Sequence, residues 1–213
     1  MGDTVVNVCE TFTSIQGESS YAGLPCYFIR LAGCNLRCSY CDTRYAYGQG
    51  EECSIDALVA EWRASRAAVV EITGGEPLLQ PGFRRLAEAL RDSSTRPVLV
   101  ETNGSLDIRI VPSEVIAIID VKCPGSGTCA AMDFDNLYRL RPQDELKFVI
   151  TDRADYVWAR ELLECHRLPS RVRMIFFSVA TGFLEPQLLA QWILEDGLPV
   201  RFQLQWHKLI GLR

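Results

Sequence analysis

Three cysteines in the stretch GCNLRCSYCDT (33–43), namely Cys34, Cys38 and Cys41, follow a C-x3-C-x2-C spacing. Thiols grouped this closely are metal ligands rather than disulfide partners wherever cysteine stays reduced. A structural zinc site is closed by four ligands, and iron–sulfur clusters are also commonly held by four thiolates. Three thiolates on a cubane of four irons leave one iron without a protein ligand. That iron is open to a small molecule chelating through, for example, an amino group and a carboxylate. On these residues alone the alternative is a zinc site completed by Cys26 or Cys53, although zinc knuckles favour paired C-x2-C units.

Other residues able to do chemistry stand in short polar clusters: TGGEP (73–77), ETNG (101–104), DVKCPGSG (120–127) and the HK pair at 207–208. The paired Gly74 and Gly75 let a backbone approach a ligand closely. Asn103, Lys122 and Ser126 add polar groups. Arg30 precedes the cysteines, and its planar guanidinium suits bidentate binding of a carboxylate. Gln16, Gly17 and Glu18 form a polar loop able to hydrogen-bond a ring edge, and Thr73 offers a hydroxyl. Of the two histidines, His166 ends a helical pattern, where a contact with the helix dipole is its expected role. His207 follows the last strand-like run and is a candidate substrate contact. The terminal LIGLR (209–213) is expected to close the site, with Arg213 as a candidate.

The elements that must position these groups repeat one grammar. Short apolar runs at 25–33, 68–77, 96–104, 115–127, 144–150, 171–182 and 200–208 read as strands buried on both faces. Helical patterns lie between several of them. Ser54 is a plausible N-cap for SIDALVAEWRAS, 81–93 opens with a proline, and 152–168 and 185–197 carry apolar residues at helical spacing, the last stopping at Gly197. Alternation of strand and helix implies a largely parallel sheet. A full eightfold barrel takes about 250 residues. With 213 residues and a helix-poor segment over 103–145, the expectation is an α/β fold, a partial, open (β/α) barrel of about six parallel strands. The polar clusters then sit at the C-terminal ends of the strands, the ligand-binding edge of such sheets.

Bulk properties agree. One domain over 1–213 is the default for this length. The net charge of −5 and pI of about 5.2 argue against a nucleic-acid partner, whose binding runs on phosphate neutralisation. The N-terminal MGDTVVNVCETF lacks the charged and apolar regions of a signal peptide. No apolar run approaches a membrane span. The expected location is cytoplasmic, where the nine cysteines stay mostly reduced. Cys9, Cys26, Cys53, Cys123, Cys129 and Cys165 receive no role.

CNLRCSYC followed by TGGEP resembles the radical S-adenosylmethionine (SAM) superfamily. The resemblance implies that Cys34, Cys38 and Cys41 hold a [4Fe–4S] cluster and that SAM chelates the open iron. Electron transfer then yields a 5′-deoxyadenosyl radical, so no protein side chain need be the catalyst, with His207 as a possible exception. The longer run SIQGESSYAGLPCYFIRLAGCNLRCSYCDT, with TGGEPLLQ, VETNGS, DVKCPGSG, LKFVI and LQWHK in order, is similar to the 7-carboxy-7-deazaguanine synthase family. That family's activity is the ring contraction of 6-carboxy-5,6,7,8-tetrahydropterin to 7-carboxy-7-deazaguanine with release of ammonia. It is a lyase reaction of purine metabolism that feeds queuosine-type 7-deazapurines. The resemblance further implies a trimmed barrel, a homodimer, SAM as a reusable cofactor, Mg²⁺, and a flavodoxin- or ferredoxin-type reductant. Carried over residue by residue, Ile15, Gln16, Gly17, Glu18, Arg30, Thr73, His207 and Arg213 face the pterin. Tyr40, Cys41, Asp42, Gly74, Gly75, Glu76, Asn103, Lys122, Ser126 and Lys147 face SAM, and Thr43 is the Mg²⁺ ligand. Position 40 is Tyr where Trp often stands in the family.

Two other readings compete. A glycyl-radical activase shares C-x3-C-x2-C and GGEP, but acts on a protein partner and has no use for Arg30, Thr43 and His207 as a carboxylate–magnesium set. A zinc-binding interaction module would use the cysteines without catalysis.

Overall fold

The computed structural model describes residues 4–48 and 50–212. Its strands are β1 (Val5–Ile15), β2 (Pro25–Leu31), β3 (Glu51–Ser54), β4 (Val69–Gly74), β5 (Val98–Thr102), β6 (Ile116–Val121), β7 (Glu145–Ile150), β8 (Met174–Val179) and β9 (Arg201–Phe202). The helices are α1 (Ile55–Ala64), α2 (Phe83–Ser93), α3 (Asn136–Arg139), α4 (Arg153–Cys165), α5 (Pro186–Asp196) and α6 (Trp206–Leu209). One sheet runs β3-β1-β2-β4-β5-β6-β7-β8-β9. Every pairing from β2 to β9 is parallel, and β1 pairs antiparallel with both β2 and β3. The order is linear, with β3 and β9 at its two ends. This is the expected partial, open barrel of six full parallel strands, with the two-residue β9 as a seventh.

The expected helices form where their signals stand. The Ser54 hydroxyl accepts from the Ala57 N–H at 3.2 Å, and Ile55, Leu58 and Trp62 fall on one buried stripe of α1. Phe83, Leu86, Ala87 and Leu90 do the same for α2. Gly197 ends α5 in the left-handed conformation, φ 56°. Two features depart from the sequence reading. The N-terminal segment is strand, a mixed polar and apolar run rather than a continuous apolar one, and it lies between β3 and β2, antiparallel to both, instead of joining the parallel set. The strand expected over 200–208 shrinks to Arg201–Phe202. The Gln203 N–H still reaches the Phe177 carbonyl at 2.9 Å, but the Trp206 N–H turns to the Gly17 carbonyl at 3.1 Å. The chain there leaves β8 and crosses to the β1–β2 loop.

Strand side chains alternate between faces, and here the two phases differ in chemistry. Ile29, Leu31, Ile72, Val100, Ile119, Phe148 and Phe177 join the helix-side core. In the opposite phase, Cys26, Phe28, Val69, Leu99 and Ile118 form a smaller apolar cluster. Continuing along the same strands and phase come Arg30, Glu71, Thr73, Glu101, Asp120, Lys122 and Lys147, all lining one cavity. The concave face is thus apolar at its N-terminal end and charged at its C-terminal end.

Candidate functional site

The cavity holds about 600 Å³ at the C-terminal ends of the parallel strands. Cys34, Cys38 and Cys41 line it, and all three are free thiols. Their loop has no regular structure and is pinned by its neighbours. The Glu76 N–H donates to the Gly33 carbonyl at 2.8 Å, and the Ser39 N–H donates to the Ser126 carbonyl at 2.9 Å. The Ser39 hydroxyl donates to the Gly125 carbonyl at 2.9 Å. The Asn103 amide donates to the Asn35 side chain at 3.1 Å. A Cβ on Gly75 would meet the Gly33 oxygen at 2.2 Å, so the glycine loop is in direct contact with the cysteine loop. Cys26 is buried in the smaller apolar cluster and Cys53 packs against the helix-side core. Neither supplies a fourth ligand, and no other cysteine among the described residues lines the cavity. The donor set fits a cluster held by three thiolates with one metal left open.

Beside the thiols lie Gly74, Gly75, Tyr40, Asp42, Thr43, Asn103 and Lys122. Lys122 donates to an Asp120 oxygen at 2.6 Å. Burial works against its charge, but Asp120 together with Tyr40 and Cys38 outweighs burial and its pKa is raised. Tyr40 presents a buried phenol oxygen with no hydrogen-bond partner among the described residues. Asp42 is half-enclosed. Burial alone would raise its carboxyl, but an ion pair with Lys208 and the Thr43 hydroxyl, which donates at 2.8 Å, bring it down to about 2. Glu76 and Ser126 stand behind the wall, both fully buried. The Glu76 carboxyl accepts from the Asn103 N–H at 2.6 Å, the Leu78 N–H at 3.0 Å and the Thr102 hydroxyl at 2.8 Å. Burial pushes it up to about 7 in spite of those donors. It welds the β4 loop to the β5 loop. The Ser126 hydroxyl accepts from the Thr128 N–H at 3.1 Å.

On the far side are Ile15, Gln16, Glu18, Arg30, Thr73, Lys147 and His207. Lys147, buried, donates to Glu18 at 2.6 Å and to Glu101, with Asp120 at 3.7 Å. Burial opposes its charge, yet the surrounding carboxylates raise its pKa well above the lysine value. Burial likewise would raise Glu18, and Lys147 reverses it to a lowered pKa. Arg30 donates from Nε to Glu10 at 2.9 Å and lies 5.8 Å from the Phe12 ring centroid. His207 is held below its ordinary pKa, chiefly by burial. Gly17 is not on the wall. A Cβ there would meet His207 Nδ1 at 2.1 Å, so the glycine seats the imidazole. Arg213 lies outside the described residues. His166 is remote, capping α4 with its ring 5.5 Å from Tyr138.

Sequence reasoning passed over Glu71, Glu101 and Asp120, which share the cavity floor with Lys147. The signal was present: a single acid inside each apolar run, VVEIT, VLVET and IAIID. A charge inside a strand buried on both faces requires a partner or a ligand, and three at one phase mark a site.

Residues 28–120 match the Radical SAM superfamily model. A 7-carboxy-7-deazaguanine synthase of Koribacter versatilis is 44% identical, the alignment covering 96% of each chain. One of Chlorobaculum tepidum is 47% identical over 96% of this chain and 94% of that one. A crystal structure of QueE from Escherichia coli superposes with a TM-score of 0.76 at 22% identity, covering 93% of this chain and 94% of that chain. That likeness supports the open-barrel fold.

Proposed function

The chain belongs to the 7-carboxy-7-deazaguanine synthase family, and from that premise we propose that it is a radical SAM lyase contracting 6-carboxy-5,6,7,8-tetrahydropterin to 7-carboxy-7-deazaguanine with release of ammonia. The observation that carries this reading is one cavity with two chemistries: three free thiols at one end, and Arg30 with a buried acid–lysine floor at the other. When bound, the [4Fe–4S] cluster and SAM supply the electron and the hydrogen-abstracting radical.

The chain's own residues bind, orient and enclose. Cys34, Cys38 and Cys41 hold the cluster, and the Gly74–Gly75 backbone with Asn103 and Lys122 borders the SAM space. Arg30 binds the pterin carboxylate through its guanidinium N–H groups. Gln16, Glu18, Thr73 and Lys147 meet the ring, while His207 on α6 covers it from above and excludes water. Thr43 is the protein ligand for Mg²⁺, whose remaining positions are filled by water and substrate oxygens, the usual arrangement for that ion. The enzyme works as a cytoplasmic homodimer with a flavodoxin- or ferredoxin-type reductant, one radical SAM domain over 1–213. Among the described residues no helix is long and apolar enough to cross a membrane.

The test is turnover by anaerobically reconstituted protein with SAM, Mg²⁺, dithionite and carboxytetrahydropterin, read by mass detection of the deazaguanine. Absence of product from protein that carries its iron and cleaves SAM overturns the assignment. No observation favours the activase or zinc-module readings.

A further inference from the structure

Glu71 projects from the middle of β4 into the cavity, 2% exposed, and differs from every other acid on the floor. Glu18 and Glu101 share Lys147, and Asp120 has Lys122 at 2.6 Å. Among the described residues Glu71 has no cation within ion-pair distance, and its hydrogen-bond donor is the Gln16 amide. That amide cannot turn away freely, because its oxygen accepts from the Glu18 N–H at 3.1 Å, which fixes the NH₂ toward Glu71. Burial first, then Glu101, holds the Glu71 carboxyl well above the usual range, with Lys147 and the Gln16 amide opposing only in part, so further N–H donors would favour its ionised, accepting form. A buried carboxyl with one amide donor and unused acceptor capacity is costly unless a ligand completes it.

The sheet register says which ligand group that is. Arg30 pairs with Thr73, and one rung below, Phe28 pairs with Glu71. Two residues along a strand span about 7 Å, comparable to the length of a fused bicyclic ring. A flat ligand lying along β2 and β4 therefore has one end at the guanidinium and the other at Glu71, over the Phe28 ring. An anion cannot occupy the Glu71 end, where Glu18 and Glu101 lie close by. Only a group rich in N–H donors fits.

Resting on the functional reading above, we propose that Glu71 is a specificity-determining residue that accepts two parallel hydrogen bonds from the cyclic-guanidine edge of the pterin, its ring N3–H and 2-amino group. It thereby selects 2-amino over 2-oxo ring systems and fixes the carboxylate end of the ring at Arg30.

The experiment compares carboxytetrahydropterin with its 2-oxo counterpart, the carboxytetrahydrolumazine, on the reconstituted holoenzyme and on Glu71→Gln. Unmodified enzyme should prefer the 2-amino compound by about tenfold to a hundredfold in kcat/KM, the value of one charge-assisted bond lost. Glu71→Gln should raise KM for the 2-amino compound by a similar factor and leave the KM for SAM unchanged. It should also narrow or invert the preference, since its amide can donate to the 2-oxo group while accepting from N3–H. A merely structural role for Glu71 would impair both compounds alike. If the unmodified enzyme turns over the pterin but treats the two compounds equally, this inference falls while the assigned reaction stands. The same holds if Glu71→Gln keeps the original KM. If the unmodified enzyme turns over neither compound, the assigned reaction falls and this inference with it. Should the variant fail to fold, the comparison on unmodified enzyme still decides.

Discussion

Replacing Gly75 by alanine tests whether loop contact positions the cluster. The new Cβ would stand 2.2 Å from the Gly33 carbonyl oxygen and 2.7 Å from the Cys34 Cβ, against 3.4 Å at the near edge of ordinary contact. One loop must retreat by about 1.2 Å to restore that distance. The obstacle is backbone, so no side-chain rotation relieves it. Gly75 has no positive φ, so the penalty is steric and not conformational. Retreat strains the Gly75 N–H to Leu31 carbonyl bond of 3.2 Å and the Glu76 N–H to Gly33 carbonyl bond of 2.8 Å. Overpacking costs about 1–3 kcal/mol and each weakened backbone bond about 1 kcal/mol, giving roughly 3–5 kcal/mol. For a chain of this size that lowers the melting temperature by roughly 6–20 °C. If the loop moves instead of the fold loosening, Cys34 shifts by more than the ~0.2 Å tolerance of a metal–ligand bond. The assay is therefore double: thermal melting, and iron content with SAM cleavage after anaerobic reconstitution. Gly48→Ala is the control, with φ −78° and open space around its Cβ. Gly75→Ala with normal iron, normal SAM cleavage and an unchanged melting temperature would refute the close-contact account.

Cys34→Ala, Cys38→Ala and Cys41→Ala should each lose most iron and all SAM cleavage, while Cys53→Ala keeps both; equal iron loss from Cys53→Ala would sink the three-ligand model. Arg30→Lys keeps the charge but not the planar fork, and should raise the KM for carboxytetrahydropterin by roughly ten- to a hundredfold with the KM for SAM unchanged. An unaltered pterin KM counts against Arg30 as the carboxylate anchor. His207 has a folded-state pKa below its unfolded value of about 6.5. The unfolded chain therefore binds the proton more readily, and this group's contribution to stability is present above pH ~6.5 and lost as pH falls toward the folded pKa. The His207 ring should titrate by NMR with a midpoint below about 6.5, and a midpoint at or above that value contradicts the burial read from the structure.

The sequence reading located the parallel sheet, four of the helices and the cavity's two ends because those signals are local. Ser54 and Gly197 punctuate helices by their own side-chain and backbone chemistry, and the cysteines announce themselves by spacing. What stayed hidden depends on partners distant in sequence. Glu71, Glu101 and Asp120 look like isolated interruptions of apolar runs until pairing between strands lines up their phases. The last strand failed for a similar reason: nothing in VRFQLQWHK reveals that Gly17, about 190 residues earlier, accepts a hydrogen bond from the backbone of Trp206. Glu76 reads naturally as a wall residue of TGGEP. Only the β5 loop above it explains why the carboxyl points inward to bond Thr102 and Asn103.

The cysteine loop also shows why a parallel sheet suits this chemistry. Its thiols are flexible side chains on an irregular segment, and a loop left free would lose conformational entropy on meeting its metal. Here neighbouring strand-to-helix loops carry that ordering cost during folding. Asp155, 1% exposed in the first turn of α4, accepts from the Gly125 N–H at 2.8 Å, the Thr151 N–H at 3.0 Å and the Thr151 hydroxyl at 2.6 Å. A Cβ on Gly125 would strike the Thr151 hydroxyl at 2.1 Å, so the β6 loop is clamped against the start of α4. The clamped Gly125 and Ser126 carbonyls then grip Ser39, between Cys38 and Cys41. From the other side, the β4 loop grips Gly33. Side-by-side strands ending at one edge place both grips within reach of the same loop. The spacing between the thiols and the Glu71 floor is thereby set by backbone rather than by whichever ligand arrives, and the preorganised site spends less of its binding energy on ordering itself.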